Sequence, residues 1–181
     1  MPTKPKAKSK MTEAEITKNV RLMQEAAEKH KKSLKKADNF VALDEEEMRK
    51  KLQRVNSPVI NSMGWSNVPP GGTVDISVGI FNPDPVSQGS LYVHLWVGPG
   101  NPIADNALFL LNVNARFPRL AQPPAFGATL PPSGSQNFTF PFKVPSAIEP
   151  STYFCNFVLL RLSGFDVGTI FDRSGLALTV T

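Results

Sequence analysis

The chain has 181 residues, 41% of them apolar, and a net charge of +5 that resides in its first third. Up to Val55 it holds 15 Lys+Arg against 9 Asp+Glu, whereas the following 126 residues hold 5 against 6. The length suits one medium domain with an appendage, the single Cys155 excludes an intrachain disulfide, and no apolar run approaches the ~20 residues of a membrane-spanning helix. The N-terminus is Lys/Pro-rich and lacks the apolar core of a signal peptide. Synthesis in the cytoplasm is therefore expected, with a final place in a cytoplasmic assembly or particle, or outside by a route without a cleaved signal.

Residues 1–11 alternate Lys4, Lys6, Lys8 and Lys10 with Pro, Ala and Ser. They offer nothing to bury, so the composition predicts a disordered basic tail. Its lysines suit weak, sequence-blind contact with nucleic acid or another polyanion, and no aromatic is interleaved for stacking on bases.

Residues 12–55 predict an amphipathic segment of two helices. Thr12 and Glu15 form a T-x-x-E capping box. From there Ile16, Val20, Met23, Ala27, His30, Leu34, Ala37 and Val41 recur at steps of four and three, a short heptad seam. The first helix is expected to run to about Lys36. Asp38-Asn39 interrupts it, and Asp44 can cap a second helix from Glu45 to about Val55. Ala27, His30 and Ala37 bury little, so the helix needs a partner surface: its own sandwich, a sister subunit or another protein.

Residues 56–181 change to a period of two. Val74, Ile76, Val78 and Ile80 alternate with polar residues or glycine; Leu91, Val93, Leu95 and Val97 alternate with Tyr92, His94 and Trp96; Phe138, Phe140 and Phe142 form a third run. Tyr153 to Leu162 is apolar almost throughout, and Leu176, Leu178 and Val180 close the chain. Turn-rich stretches such as "VPPGGT" and "LPPSGS" separate the runs. The pattern predicts a mainly β protein, an antiparallel sandwich of about seven strands preceded by the helical segment. The Pro-rich stretch from Asn114 to Pro132 reads as an irregular crossing loop suited to a contact. Asp166 and Asp172 read as hairpin-loop residues, with Arg173 as a possible mate. Cys155, inside "TYFCNFVLL", reads as a buried core thiol.

"VPPGGTVDISVGIFNPDP", "SLYVHLWVG" and "LPPSGSQNFTFPFKVPSAIEPSTYF" together resemble an immunoglobulin-like sandwich, in the style of bacterial cell-adhesion-related (CARDB-like) modules. Tyr153-Phe154-Cys155 resembles the Y-x-C of immunoglobulin strand F, and Trp96 the strand-C tryptophan. The resemblance implies that the strands bearing them are neighbours. It also implies that Cys155 is an unpaired half-cystine facing Ile76 or Val78, and that the module binds or adheres and does not catalyse.

A 126-residue monomer normally has about a quarter of its residues charged, nearly three times what this part carries. With Leu91, Val93, Leu95 and Cys155 inward, Tyr92, His94, Trp96, Phe154, Val158 and Leu160 share one outer face, which is expected to be covered by the N-terminal helix or another subunit. No phosphate loop, nucleophile elbow, H-E-x-x-H or C-x-x-C occurs, so no catalytic residue, metal ligand, cofactor or small-molecule substrate is expected. The expected function is that of a non-catalytic structural or interaction protein. It acts by protein–protein contact as an assembly subunit, with the helices for docking or oligomerisation. A coat or shell subunit with a basic nucleic-acid arm, and an adhesin-like module binding a ligand or glycan, are the alternatives.

Overall fold

The computed structural model describes residues 10–54, 57–98, 128–163 and 166–181. The tail lysines Lys4, Lys6 and Lys8 and most of the expected 114–132 loop lie outside the described residues. Lys10 is exposed.

Helix α1 spans Glu13–Ser33. Its capping box forms: the Glu15 amide donates to Thr12 Oγ1 (3.3 Å) and the Thr12 amide donates to Glu15 Oε2 (2.7 Å). Helix α2 spans Glu45–Arg54 and begins the same way, with reciprocal bonds between the Asp44 and Glu47 amides and carboxylates (2.8 and 3.0 Å). The Arg49 guanidinium joins the two helices through Glu13 (2.8 Å) while also reaching Glu45 (3.1 Å).

Eight strands are described: β1 Asn39–Ala42, β2 Val59–Trp65, β3 Thr73–Phe81, β4 Gln88–Gly98, β5 Ala128–Leu130, β6 Ser135–Lys143, β7 Ser151–Ser163 and β8 Asp166–Val180. They make two four-stranded antiparallel sheets, ordered β1-β2-β3-β6 and β5-β4-β7-β8. Seven of the eight lie beyond residue 56. The eighth, β1, comes from between the helices, so the helical segment is built into the sandwich and is not merely attached to it. β4 and β7 are neighbours with Val97 opposite Cys155, the adjacency expected of strands C and F. Cys155 also stands opposite Leu176. Its side chain lies outside the described residues.

The core between the sheets is apolar. Ile76, Val78 and Ile80 of β3 meet Leu91 and Val93 of β4, Phe157 and Leu159 of β7, and Leu176 and Leu178 of β8. Alternation sends Ser77, Gly79 and Phe81 to the opposite face of β3, and there α1 and α2 pack. Ile16, Val20 and Met23 of α1, Met48 and Leu52 of α2, and Val59 and Phe81 of the sheet form this second layer.

Four expectations are corrected. α1 stops at Ser33, three residues early, because Leu34 turns extended as its C-cap (ψ 106°). The seam accordingly ends at His30: Leu34 is half-buried, Ala37 is exposed, and Val41 sits in β1 with 51% of its surface open. Residues 128–130 are strand, not loop, because Gln88 and Leu91 of β4 supply a ladder for them. Asp166 and Asp172 belong to β8, not to a hairpin loop.

Candidate interaction surfaces

The β4–β7 register places the expected outer-face residues together on the backbone. Tyr92 stands opposite Leu160, His94 opposite Val158, Trp96 opposite Asn156, and Gly98 opposite Phe154. Positions 92 and 94 alternate with the core positions 91 and 93, and positions 158 and 160 with 157 and 159. Val158 and Leu160 are 2% and 0% exposed and belong to neither apolar layer already described. The chain itself therefore closes this face at both positions, without a second molecule. Tyr92 is half-buried. The side chains of His94, Trp96 and Phe154 lie outside the described residues.

The N-terminal helices cover the other sheet. α1 lies on β2 and β3, so the partner surface its seam required is the chain's own sandwich. This corrects the expectation that named the N-terminal helix as one cover for the β4–β7 face. Ile16, Val20, Met23, Ala27 and His30 are all buried in this position.

His30 is the polar centre of that contact and has no exposed surface. Its Nδ1 lies 2.7 Å from Ser62 Oγ of β2, and its Nε2 2.8 Å from Ser77 Oγ of β3. A neutral imidazole donates through one nitrogen and accepts through the other, so both hydroxyls are engaged at once. The Phe40 ring of β1 meets the imidazole edge-on at 5.6 Å. Gly79 leaves the space: a Cβ there would come within 2.6 Å of Ser62 Oγ and 3.0 Å of His30 Nδ1. Burial pushes the His30 pKa below its ordinary value. Nearby on the same helix face, Asn61 donates to the Met23 carbonyl (2.8 Å). Nothing in the sequence signals these bonds, because the partners of His30 lie 32 and 47 residues away.

Asp172 is the second polar latch. It accepts from Lys51 Nζ (2.7 Å) and from the Ile60 amide (2.7 Å), tying β8 to α2 and β2 across 121 and 112 residues. The expected pairing of Asp172 with Arg173 gives way to this one. A third cluster, Asn82, Asp84 and Gln88, holds the 82–88 turn. Asn82 donates to the Val86 carbonyl (3.0 Å), Asp84 accepts from the Val86 amide (2.9 Å), and Gln88 donates to Asp84 (2.9 Å). Among the described residues no cluster of three or more His, Cys, Asp or Glu could hold a metal ion. No described helix is long and apolar enough to cross a membrane.

No family model and no curated protein matches this chain. Some solved structures resemble it at low identity and with TM-scores below 0.5. The CARDB domain of a Pyrococcus furiosus protein is 13% identical, with 68% of this chain and 92% of that one covered and a TM-score of 0.40. The C-terminal domain of wzt is 12% identical, with 64% and 63% covered and a TM-score of 0.42. A Paenibacillus cycloisomaltooligosaccharide glucanotransferase is 13% identical, with 68% and 14% covered and a TM-score of 0.44. The fold itself is a two-sheet antiparallel β-sandwich with an N-terminal helical layer. The chain spans less than two thirds of the length of the glucanotransferase and of the wzt domain.

Proposed function

We propose that this protein is a non-catalytic interaction module that works through protein–protein contact as a subunit of an assembly. The observation that carries the reading is the charge-free row formed by Tyr92, His94 and Trp96 opposite Leu160, Val158 and Asn156. Its β7 half is closed within the chain at Val158 and Leu160. The contact is therefore assigned to its β4 half, where Tyr92 keeps part of its surface open. Large aromatics at the centre of a contact are the side chains whose loss is felt most. The helix seam is occupied by the sandwich, so the helices serve as a fixed layer and not as an oligomerisation coil. The described polar clusters support the non-catalytic reading, because each is engaged in holding the fold: His30 on two hydroxyls, Asp172 on Lys51 and Ile60, Asp84 within its turn.

Sedimentation velocity of the full chain and of Tyr92→Lys tests this. The expected result is a discrete small oligomer that Tyr92→Lys dissociates while circular dichroism stays native-like. A lysine desolvated at a contact without a partner costs several kcal/mol. A monomeric wild type would overturn the reading in favour of an adhesin-like module. Large uniform particles formed with nucleic acid would replace it by a shell subunit.

A further inference from the structure

We propose that the C-terminal end of α1 and the turn that follows it form a binding site for the sugar-phosphate backbone of nucleic acid. This is a site distinct from the basic tail and independent of the assembly reading. Lys29, Lys31, Lys32, Lys35 and Lys36 fall within eight residues that contain no acid, and all five are exposed. Among the described residues none of them forms an ion pair. In α2, by contrast, Arg49, Lys50 and Lys51 are each engaged by a carboxylate.

The helix dipole accounts for Lys31 and Lys32 in the last turn. It does not account for Lys35 and Lys36, which lie beyond the helix. These two stand on a turn held at several points. The Leu34 amide donates to the Lys31 carbonyl (3.2 Å), and the Leu34 side chain occupies the space that a Cβ on Gly64 would need. The Ser66 hydroxyl donates to the Lys36 carbonyl, and Asp38 accepts from the Asn67 amide (3.0 Å). Lys31 lies over the Phe40 ring at 5.9 Å. The cations are thus carried on an ordered frame, which lowers the entropy lost on binding.

Lys35 and Lys36 border a groove of about 440 Å³ between this turn and the first residues of β3. Of its lining hydroxyls, those of Ser33, Ser66, Ser77 and Thr139 are engaged within the chain, which leaves Thr73 beside the two lysines, with Asp75 as the one acid among the lining residues. Ammonium groups and short hydroxyls are the donors that phosphate oxygens take. An acidic protein would normally add an apolar anchor at the centre of its contact. The exposed large apolar residues among the described ones are Val41 and Val86, and neither lines the groove. A phosphate backbone needs no such anchor. With no arginine fork and no aromatic in the lining, the contact is sequence-blind.

The test is fluorescence anisotropy of a mixed-sequence single-stranded oligonucleotide against the full chain over a salt series. The variants are Lys35→Gln/Lys36→Gln and, separately, Lys4→Gln/Lys6→Gln/Lys8→Gln/Lys10→Gln. We expect the groove variant to bind about tenfold more weakly at low salt, with the slope of log K against log salt reduced by about 0.7 for each phosphate left without its lysine. The tail variant should retain binding that the groove substitutions then remove. Circular dichroism reports whether the groove variant is folded. If it is not, Lys35→Arg/Lys36→Arg must bind as wild type does. Three outcomes overturn the proposal: a wild type that fails to bind at low salt, a folded groove variant that binds as wild type does, or polyglutamate bound by the same lysines as tightly as the oligonucleotide.

Discussion

β2 and most of β3, at the centre of the β1–β2–β3–β6 sheet, are covered on both faces, but the two layers are made differently. The inner face meets the second sheet through aliphatic and aromatic side chains, and Ile76, Val78, Phe157 and Leu159 have no exposed surface. The outer face meets α1 through apolar residues too, yet it also buries His30, Asn61, Ser62 and Ser77. Burial of apolar area is non-directional and tolerates sliding. Hydrogen bonds to buried partners do not, because a shift of one residue leaves polar groups unpaired at about 1–3 kcal/mol each. The inner layer thus supplies the cohesion of the sandwich, and the outer layer fixes where the helix sits. In an all-apolar contact, α1 could take neighbouring registers on the β2–β3 surface.

This contrast can be broken at each side. The largest effect is expected from Phe157→Ala in the inner layer, a loss of about 3–5 kcal/mol in urea unfolding. Preserved stability would mean that the inner core does not dominate. His30→Ala comes next, at about 2–3 kcal/mol, since it orphans the Ser62 and Ser77 hydroxyls. It should also raise amide exchange in the second half of α1 while β7 stays protected. Equal loosening of helix and sheet would show that the imidazole does not set the helix position. Thr12→Ala removes the box at the start of α1 and should cost about 1 kcal/mol, read as a fall in thermal midpoint. A wild-type midpoint would mean that packing alone holds the first turn.

The smallest effect concerns pH. Burial lowers the His30 pKa in the folded chain from its ordinary 6.5. The unfolded chain then binds the extra proton first as pH falls. The contribution of His30 is full above 6.5, declines as pH drops below it, and levels off under the folded-state pKa. The residues meeting the ring, Phe40, Ser62, Ser77 and Gly79, are uncharged, so none opposes this direction. His30→Ala should flatten the decline, and an identical pH profile for both proteins would remove His30 as its source.

The elements legible in the sequence are those whose environment repeats along the chain. The period-two run of β3 is clear because one face meets the core at every second residue. The seam of α1 is clear as far as His30. β2 is not legible, because all seven of its residues are buried and a register shift between Ile60 and Ser62 breaks the alternation. Nor is β1, because four residues carry no period, and "NFVA" is a strand only where β2 offers it a ladder. The early end of α1 depends on Leu34 settling beside Gly64, a residue far along the chain. Of the outer-face set, the shared face of Tyr92 and Leu160 follows from alternation and strand adjacency, whereas their direct pairing does not. The closure of Val158 and Leu160 within the chain does not, because alternation says which face a residue takes and nothing about what lies over it.

The Asp172 latch has a consequence for biosynthesis. A chain emerging from the ribosome presents α1, α2 and β2 first, and α2 has Lys51 ready long before its carboxylate exists. Until residue 172 emerges, the Ile60 amide lacks its acceptor and the helices can rest only on the nascent β2–β3 pair. Domains generally fold as units as they are made. Here the unit is tied shut by a residue of its last described strand, so the helical layer is synthesised before the contact that secures it.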